Sequence, residues 1–294
     1  MIYLIHDQAE GLRRKLEEAS NKPIQAKTIS FVSGKGGVGK TNISVNFSLE
    51  LCKQGKKVLL IDLDIGMGNV EILLGLQAKR TIVNLLQDQL PIYDIMELGP
   101  NDLMFIAGGA GLTDIFSVDQ DKMNYFLAQY NNVLASFDYI IFDMGAGATQ
   151  SSIDFVLASD ECIVITTPEP TSITDAYSMI KYIASYNRTL PIQLVLNRSD
   201  NLKKGKTTVN RFQKLIEQFL EIDVKVLGIL PEDKTVTASV IQQTPFSISN
   251  DKSSIAKSIK QLVDSYLNRK VETSIKESST FVERLKGLLT IKGR

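Results

Sequence analysis

Gly34-Lys35-Gly36-Gly37-Val38-Gly39-Lys40-Thr41 follows an apolar, strand-like run, Thr28–Ser33, and opens a helical one, Asn42–Gln54. Glycines at this density let successive backbone N–H groups turn inward. The helix that follows points the positive end of its dipole at the same place. A strand, a GxxxxGK[ST] loop and a helix in that order make a cradle for a polyphosphate. In such a cradle Lys40 reaches the β- and γ-phosphates and the Thr41 hydroxyl ligates Mg²⁺, with Asn42 in the same nucleotide-binding set.

Outward from the loop, β-type runs at Lys57–Asp62, Leu103–Ala107, Tyr139–Asp143, Cys162–Thr167, Ile192–Asn197 and Val224–Leu230 are separated mostly by helical stretches. The clearest of these are Lys122–Ser136, Ser172–Tyr186, Thr207–Leu220 and Lys252–Leu267. The alternation predicts an α/β fold, a mostly parallel central sheet with helices on both faces, whose ligand sits at the C-terminal strand ends. Asp7–Ser20 reads as a further helix, with Asp7 and Glu10 spaced as a capping box and Pro23 closing it. From Arg269 to Ser279 the chain is polar and lacks a core pattern, and a short apolar-periodic piece follows. The expected segments are therefore 1–23, 24–268, 269–279 and 280–294.

Two apolar strands end in carboxylates. Val58-Leu59-Leu60-Ile61 delivers Asp62-Leu63-Asp64, and Tyr139-Ile140-Ile141-Phe142 delivers Asp143-Met144-Gly145. Phosphoryl transfer needs positioning and charge neutralisation more than covalent chemistry. Asp64 is the candidate that positions or activates the attacking water. Asp143 is the candidate that holds Mg²⁺ through water, and Asp62 supports Mg²⁺ or the loop.

Composition narrows the rest. The 294 residues carry 33 Lys+Arg and 33 Asp+Glu, so formal net charge is zero, which argues against nucleic-acid binding through overall charge. Cys52 and Cys162 stand far apart and His6 is the single histidine, leaving no material for a cysteine cluster, a His-rich metal site or Ser-His-Asp catalysis. No apolar run approaches the roughly 18 residues of a membrane span. The expectation is a cytoplasmic protein, at most peripheral on a membrane.

Lys35 adds a second cation to the loop, and Lys-Gly-Gly-Val-Gly-Lys-Thr resembles the deviant Walker motif of the MinD/ParA family. The resemblance covers about Lys27 to Leu267. It implies a P-loop NTPase fold, ATP/ADP and Mg²⁺ as ligands, and an ATP-dependent homodimer in which Lys35 reaches the partner's phosphates. Two facing phosphate groups repel, and a cation from each subunit offsets that. The resemblance also implies that Asp62-Leu63-Asp64-Ile65-Gly66 and the glycines after Asp143 are switch segments. Asn197-Arg198 matches the adenine-contacting pair, Pro231-Glu232-Asp233 a second base loop, and Thr166–Pro170 a segment near the dimer face. Asn197-Arg198-Ser199-Asp200 is one residue from a guanine-reading NKxD motif, but the P-loop type favours ATP.

The ends narrow the branch. Phe281, Leu285, Leu288 and Leu289 fall at i, i+4, i+7 and i+8, one helical face, with Arg284, Lys286, Lys292 and Arg294 around it. Such a helix suits an anionic membrane surface; the alternative is a terminal helix packed on its own domain. Two copies on one dimer gain avidity of roughly 10²–10⁴. At the other end, Asp7-Gln8-Ala9-Glu10-Gly11-Leu12-Arg13 resembles the DQAxxLR motif of the FlhG (YlxH) family, MinD-like regulators of flagellar number and placement. That likeness implies contact with the GTPase FlhF through Asp7, Gln8, Ala9, Leu12 and Arg13, with Gln8 orienting water, and flagellar switch-complex partners (FliM/FliN or FliY). Three other readings stand beside it: a division-site MinD, a ParA-type DNA-partitioning ATPase, and a scaffold that holds ATP and hardly hydrolyses it.

Overall fold

The computed structural model of the chain describes residues 25–64, 68–109, 120–147, 150–269 and 280–292. Its strands are β1 (Lys27–Val32), β2 (Val58–Leu63), β3 (Glu97–Leu98), β4 (Met104–Ile106), β5 (Tyr139–Met144), β6 (Glu161–Thr166), β7 (Ile192–Ser199) and β8 (Val224–Pro231). They form one sheet in the order β3-β4-β2-β5-β1-β6-β7-β8, parallel throughout except for β3 against β4. The helices are α1 (Lys40–Lys53), α2 (Val70–Leu74), α3 (Ile82–Gln87), α4 (Gln120–Val133), α5 (Gln150–Ala158) and α6 (Pro170–Tyr186), followed by α7 (Leu202–Leu220), α8 (Lys234–Ile241), α9 (Phe246–Ser249), α10 (Ser254–Leu267) and α11 (Phe281–Lys292).

Burial on both faces explains the near-continuous apolar strands, β2 and β6 being buried at every residue. One face packs against α3 to α7 and α11, the other against α1, α2, α9 and α10. In β2, Leu59, Ile61 and Leu63 join the first core while Val58 and Leu60 join the second. In β5, Ile140, Phe142 and Met144 take the first and Ile141 the second. The two-residue period of a strand then puts Asp62 and Asp143 on the side of α1, and the register pairs them directly.

Every long element expected between residues 25 and 269 is present, while the helix expected over Asp7–Ser20 lies outside the described residues. The short ones, α2, α3, α5, α8, α9 and the two-residue β3, span too few residues for periodicity to reveal. Helix α7 begins at Leu202 rather than Thr207, because the Asn201 side chain accepts the Lys203 N–H at 2.8 Å and starts the helix a turn earlier.

The terminal helix departs from its expected setting. Thr280 and Glu283 cap α11 reciprocally, Thr280 N–H to Glu283 Oε2 at 2.7 Å and Glu283 N–H to Thr280 Oγ1 at 3.1 Å. The apolar face read from the sequence is the real one, but protein covers it here. Phe281 and Leu285 are buried, Leu288 and Leu289 half-buried. The Phe281 ring lies 4.7 Å from that of Tyr130, 5.2 Å from Phe142 and 5.9 Å from Phe155. Without α11 those three aromatics would lose their cover, which is why docking prevails over a free helix. Arg284 anchors the helix, donating from Nε to the Ala158 carbonyl at 2.7 Å and from its Nη2 to Asp160 at 2.6 Å. The N-terminal candidates Asp7, Gln8, Ala9, Leu12 and Arg13 lie outside the described residues, as do positions 270–279 of the expected linker.

Candidate nucleotide site

The order β2-β5-β1-β6-β7 gathers the C-terminal ends of five parallel strands, and the glycine loop rises from the central one. Two of its glycines are required. A Cβ at Gly34 would stand 2.2 Å from the Asp175 carbonyl oxygen, and Gly39, at φ +91°, would place one 2.5 Å from the Asn197 amide nitrogen. Gly39 is the N-cap of α1, so the helix starts at Lys40 and its first N–H groups face the loop.

The loop borders a cleft of ≈ 480 Å³ shared by Gly36, Lys40, Thr41, Asp64, Ala146 and Arg198. At its floor Lys40 Nζ donates to Asp143 Oδ1 at 2.7 Å and to Thr41 Oγ1 at 3.3 Å. Both members of the Lys40–Asp143 pair are buried. The other Asp143 oxygen, Oδ2, is buried with no hydrogen-bond partner among the described residues. An orphaned carboxylate oxygen beside a threonine hydroxyl suits a hard, oxygen-liganded cation, so Thr41 and Asp143 are the residues that would hold Mg²⁺.

Asp62 is a different case. Its Oδ1 accepts the Asp64 N–H at 2.9 Å, and its Oδ2 those of Asn69 and Val70 at 3.0 and 3.2 Å. Three backbone donors leave it the clamp of the loop that carries Asp64 and starts α2. Of the two roles the sequence offers for Asp62, Mg²⁺ or loop support, these bonds serve the second. Burial and then the facing Asp143 push the Asp62 carboxyl upward. Asp64 is half-buried at the cleft, and burial raises its carboxyl too, partly offset by the Lys40 ammonium. Its Oδ1 lies near Gly145, 3.5 Å from where a Cβ there would stand.

A second cavity of ≈ 270 Å³ opens beside the first, lined by Asn42, Asn197, Arg198, Pro231, Glu232 and Asp233 among others. The sequence-derived base residues thus meet, but with divided duties. Asn197 Nδ2 donates to the Val38 carbonyl at 2.8 Å, tying β7 to the phosphate loop and leaving the amide oxygen as its remaining acceptor. Arg198 holds φ +54°, a left-handed turn at the mouth of both cavities. Asp233 takes the Thr235 N–H at 2.8 Å, the Ser254 hydroxyl at 2.6 Å and the Ile255 N–H at 3.2 Å. Burial favours its neutral form, but those bonds, Ser254's foremost, hold the carboxyl well below the usual range. Its carboxylate therefore fastens α8 to α10, while Pro231 and Glu232 line the cavity beside it.

Lys35 stays out of the phosphate cleft. Its ammonium sits on the outer rim, 3.1 Å from Glu169 Oε2 and 3.0 Å from Thr171 Oγ1, and is substantially exposed. Sequence reading singled out the Thr166–Pro170 segment but not Thr171 or this parking contact. It also missed Ile72 and Val240 on the cleft wall, which come from helices too short to be read.

With this geometry in view, a family model described as ParA, NUBPL iron-transfer P-loop NTPase, matches residues 25–267. The chain belongs to the ParA/MinD family of P-loop NTPases. A nucleoside triphosphate is accordingly the ligand class of this cleft. The antiactivator FleN of Pseudomonas aeruginosa is 31% identical over 250 residues, spanning 84% of this chain and 89% of its own. The flagellum site-determining protein YlxH of Helicobacter pylori is 35% identical over 207 residues, 69% of each chain. The MinC:MinD cell division protein complex of Aquifex aeolicus superposes with TM-score 0.69 at 25% identity, over 87% of this chain and 99% of that one. In this ParA/MinD chain the two cysteines sit in separate elements, α1 and β6. Burial pushes the Cys52 thiol up to about 12 and Cys162 upward as well, the behaviour of structural thiols. Among the described residues, no helix is long and apolar enough to cross a membrane.

Proposed function

We propose that this ParA/MinD-family protein is an ATP-driven switch that dimerises on ATP, binds the inner membrane surface and controls flagellar number or placement. The observation that carries it is the position of Lys35: a loop lysine held outside its own phosphate cleft, at 3.1 Å from Glu169, is a cation available to a second copy. The likeness to FleN and YlxH and the Asp7–Arg13 motif support the flagellar branch over division-site or DNA-partitioning relatives.

The residues divide the work. Backbone N–H groups of Gly36, Gly37 and Gly39 face the polyphosphate, and Lys40 exchanges Asp143 for the β- and γ-phosphate oxygens. Thr41 and Asp143 would hold Mg²⁺, which would supply neutralising charge to the phosphates. Asp64 accepts a hydrogen bond from the attacking water and holds it in line, while Asp62 keeps the Asp64 loop in place. Lys35 leaves Glu169 for the partner's phosphates, so the dimer lasts as long as the γ-phosphate does. Membrane residence requires α11 to leave its aromatic seat, and the N-terminal Gln8 segment acts on an FlhF-type GTPase.

Co-sedimentation with anionic liposomes in ADP and in a non-hydrolysable ATP analogue, with light-scattering mass in each, tests the switch. Dimer and lipid binding only with the analogue is the expected result; monomer in both, or lipid binding indifferent to nucleotide, refutes it. Loss of FlhF-type GTPase stimulation in Gln8→Ala tests the N-terminal role.

A further inference from the structure

Helix α8 is turned inside out. Of Lys-Thr-Val-Thr-Ala-Ser-Val-Ile, Ser239 is the buried residue, its hydroxyl donating to the Val236 carbonyl at 2.8 Å. Val240 and Ile241 are 39% and 78% exposed. Helix α2 has a like edge: Leu73 and Leu74 are in the core while Ile72, and Leu76 just past its end, face outward. The two helices are neighbours. The backbone at Gly75 lies so near the turn after α8 that a Cβ there would stand 2.5 Å from the Gln243 carbonyl oxygen. Ile72 and Val240 also line the same phosphate cleft as Thr41 and Asp64. Of the exposed positions around them Asn69, Gln77, Gln242 and Gln243 are uncharged, and Arg198, also exposed, lines the same cleft.

A nucleotide has no use for this wall, since its phosphates need donors and its base has its own cavity. A run of exposed aliphatic side chains on the lip of an open cleft, with an arginine beside it, has the composition of an interface core. The occupant follows from continuity with the site. Whatever covers the cleft mouth covers this wall, and under the proposed switch that cover is a second copy bringing Lys35 across. A two-fold contact then presents the same wall from both sides. We infer that Ile72, Leu76, Val240 and Ile241 form the apolar core of the ATP-dependent homodimer contact, with Ile241 as its anchor. This rests on the dimerisation proposed above and adds the surface that drives it.

Ile241→Asp and Ile241→Leu test the inference by light-scattering mass against concentration in Mg²⁺ and a non-hydrolysable ATP analogue. Binding of a fluorescent ADP analogue is measured alongside. Wild type and Ile241→Leu should dimerise. Ile241→Asp should bind the ADP analogue normally, yet need about a hundredfold more protein to dimerise, because each dimer carries the charge twice. Dimerisation of Ile241→Asp at wild-type concentration overturns the inference. So does its loss of ADP-analogue binding, which would make Ile241 part of the nucleotide site. A monomeric wild type would instead refute the dimer switch itself, and the wall's role with it.

Discussion

Asp160→Asn should make the protein bind membranes without ATP. Asp160 holds α11 through Arg284 at 2.6 Å, and the same carboxylate accepts the Thr28 N–H at 2.8 Å through its other oxygen. Asparagine keeps a carbonyl for Thr28 and removes the charge from Arg284, leaving every residue of the helix unchanged. The pair is 23% and 35% exposed, so it lies between a surface ion pair and a buried one, worth about 1–1.5 kcal/mol. Since 1.4 kcal/mol is a tenfold change, the undocked fraction of α11 should rise roughly five- to tenfold. The apparent membrane affinity of the ADP state scales with that fraction. The assay is co-sedimentation with anionic liposomes in ADP, with a chain truncated after Ser279 as the control lacking α11. Asp160→Asn should sediment at roughly five- to tenfold lower lipid concentration than wild type, and the truncated chain should stay soluble. Equal sedimentation of wild type and Asp160→Asn would refute the latch. Sedimentation of the truncated chain would refute α11 as the membrane element.

Other expectations separate the carboxylates and the thiols. Asp64→Ala should still bind ATP and dimerise more persistently while turnover falls by about a hundredfold, measured by phosphate release; turnover equal to wild type would remove Asp64 from the mechanism. Asp143→Asn should raise the Mg²⁺ concentration needed for nucleotide binding by about tenfold or more. Asp62→Asn should leave that requirement alone and lower turnover, because its oxygens hold backbone N–H groups; a matching Mg²⁺ defect in Asp62→Asn would restore it as a metal ligand. With its thiol pushed up to about 12, Cys52 should alkylate at pH 8 at least about a hundredfold more slowly in the native protein than in denaturant, read by mass spectrometry.

The phosphate loop, the alternation of strands and helices and the two carboxylate-ended strands were legible in the chain because each is local. A glycine loop needs its glycines in order, and a doubly buried strand needs an uninterrupted apolar run. The strand-end positions of Asp143 and Asp64 were legible this way, as was the apolar face of α11. Asp62 was left between metal and loop, and the fold adds its contacts to the loop. Its three N–H partners come from Asp64, Asn69 and Val70, a turn whose closure the sequence does not encode as a pattern. Asp233 is similar, since its acceptor bonds reach Ser254 and Ile255 in another helix.

By itself, then, the sequence determined the fold class, the phosphate loop and the family, all carried by residues adjacent in the chain. The tertiary structure decided what lies against what: that Asp62 and Asp143 face each other across two strands, that Lys35 rests on Glu169, and that α11 covers Tyr130, Phe142 and Phe155. An amphipathic helix has the same periodicity whether lipid or protein covers its apolar side. The hydrophobic effect rewards removal from water and is blind to the cover, so only the packed partner distinguishes the two.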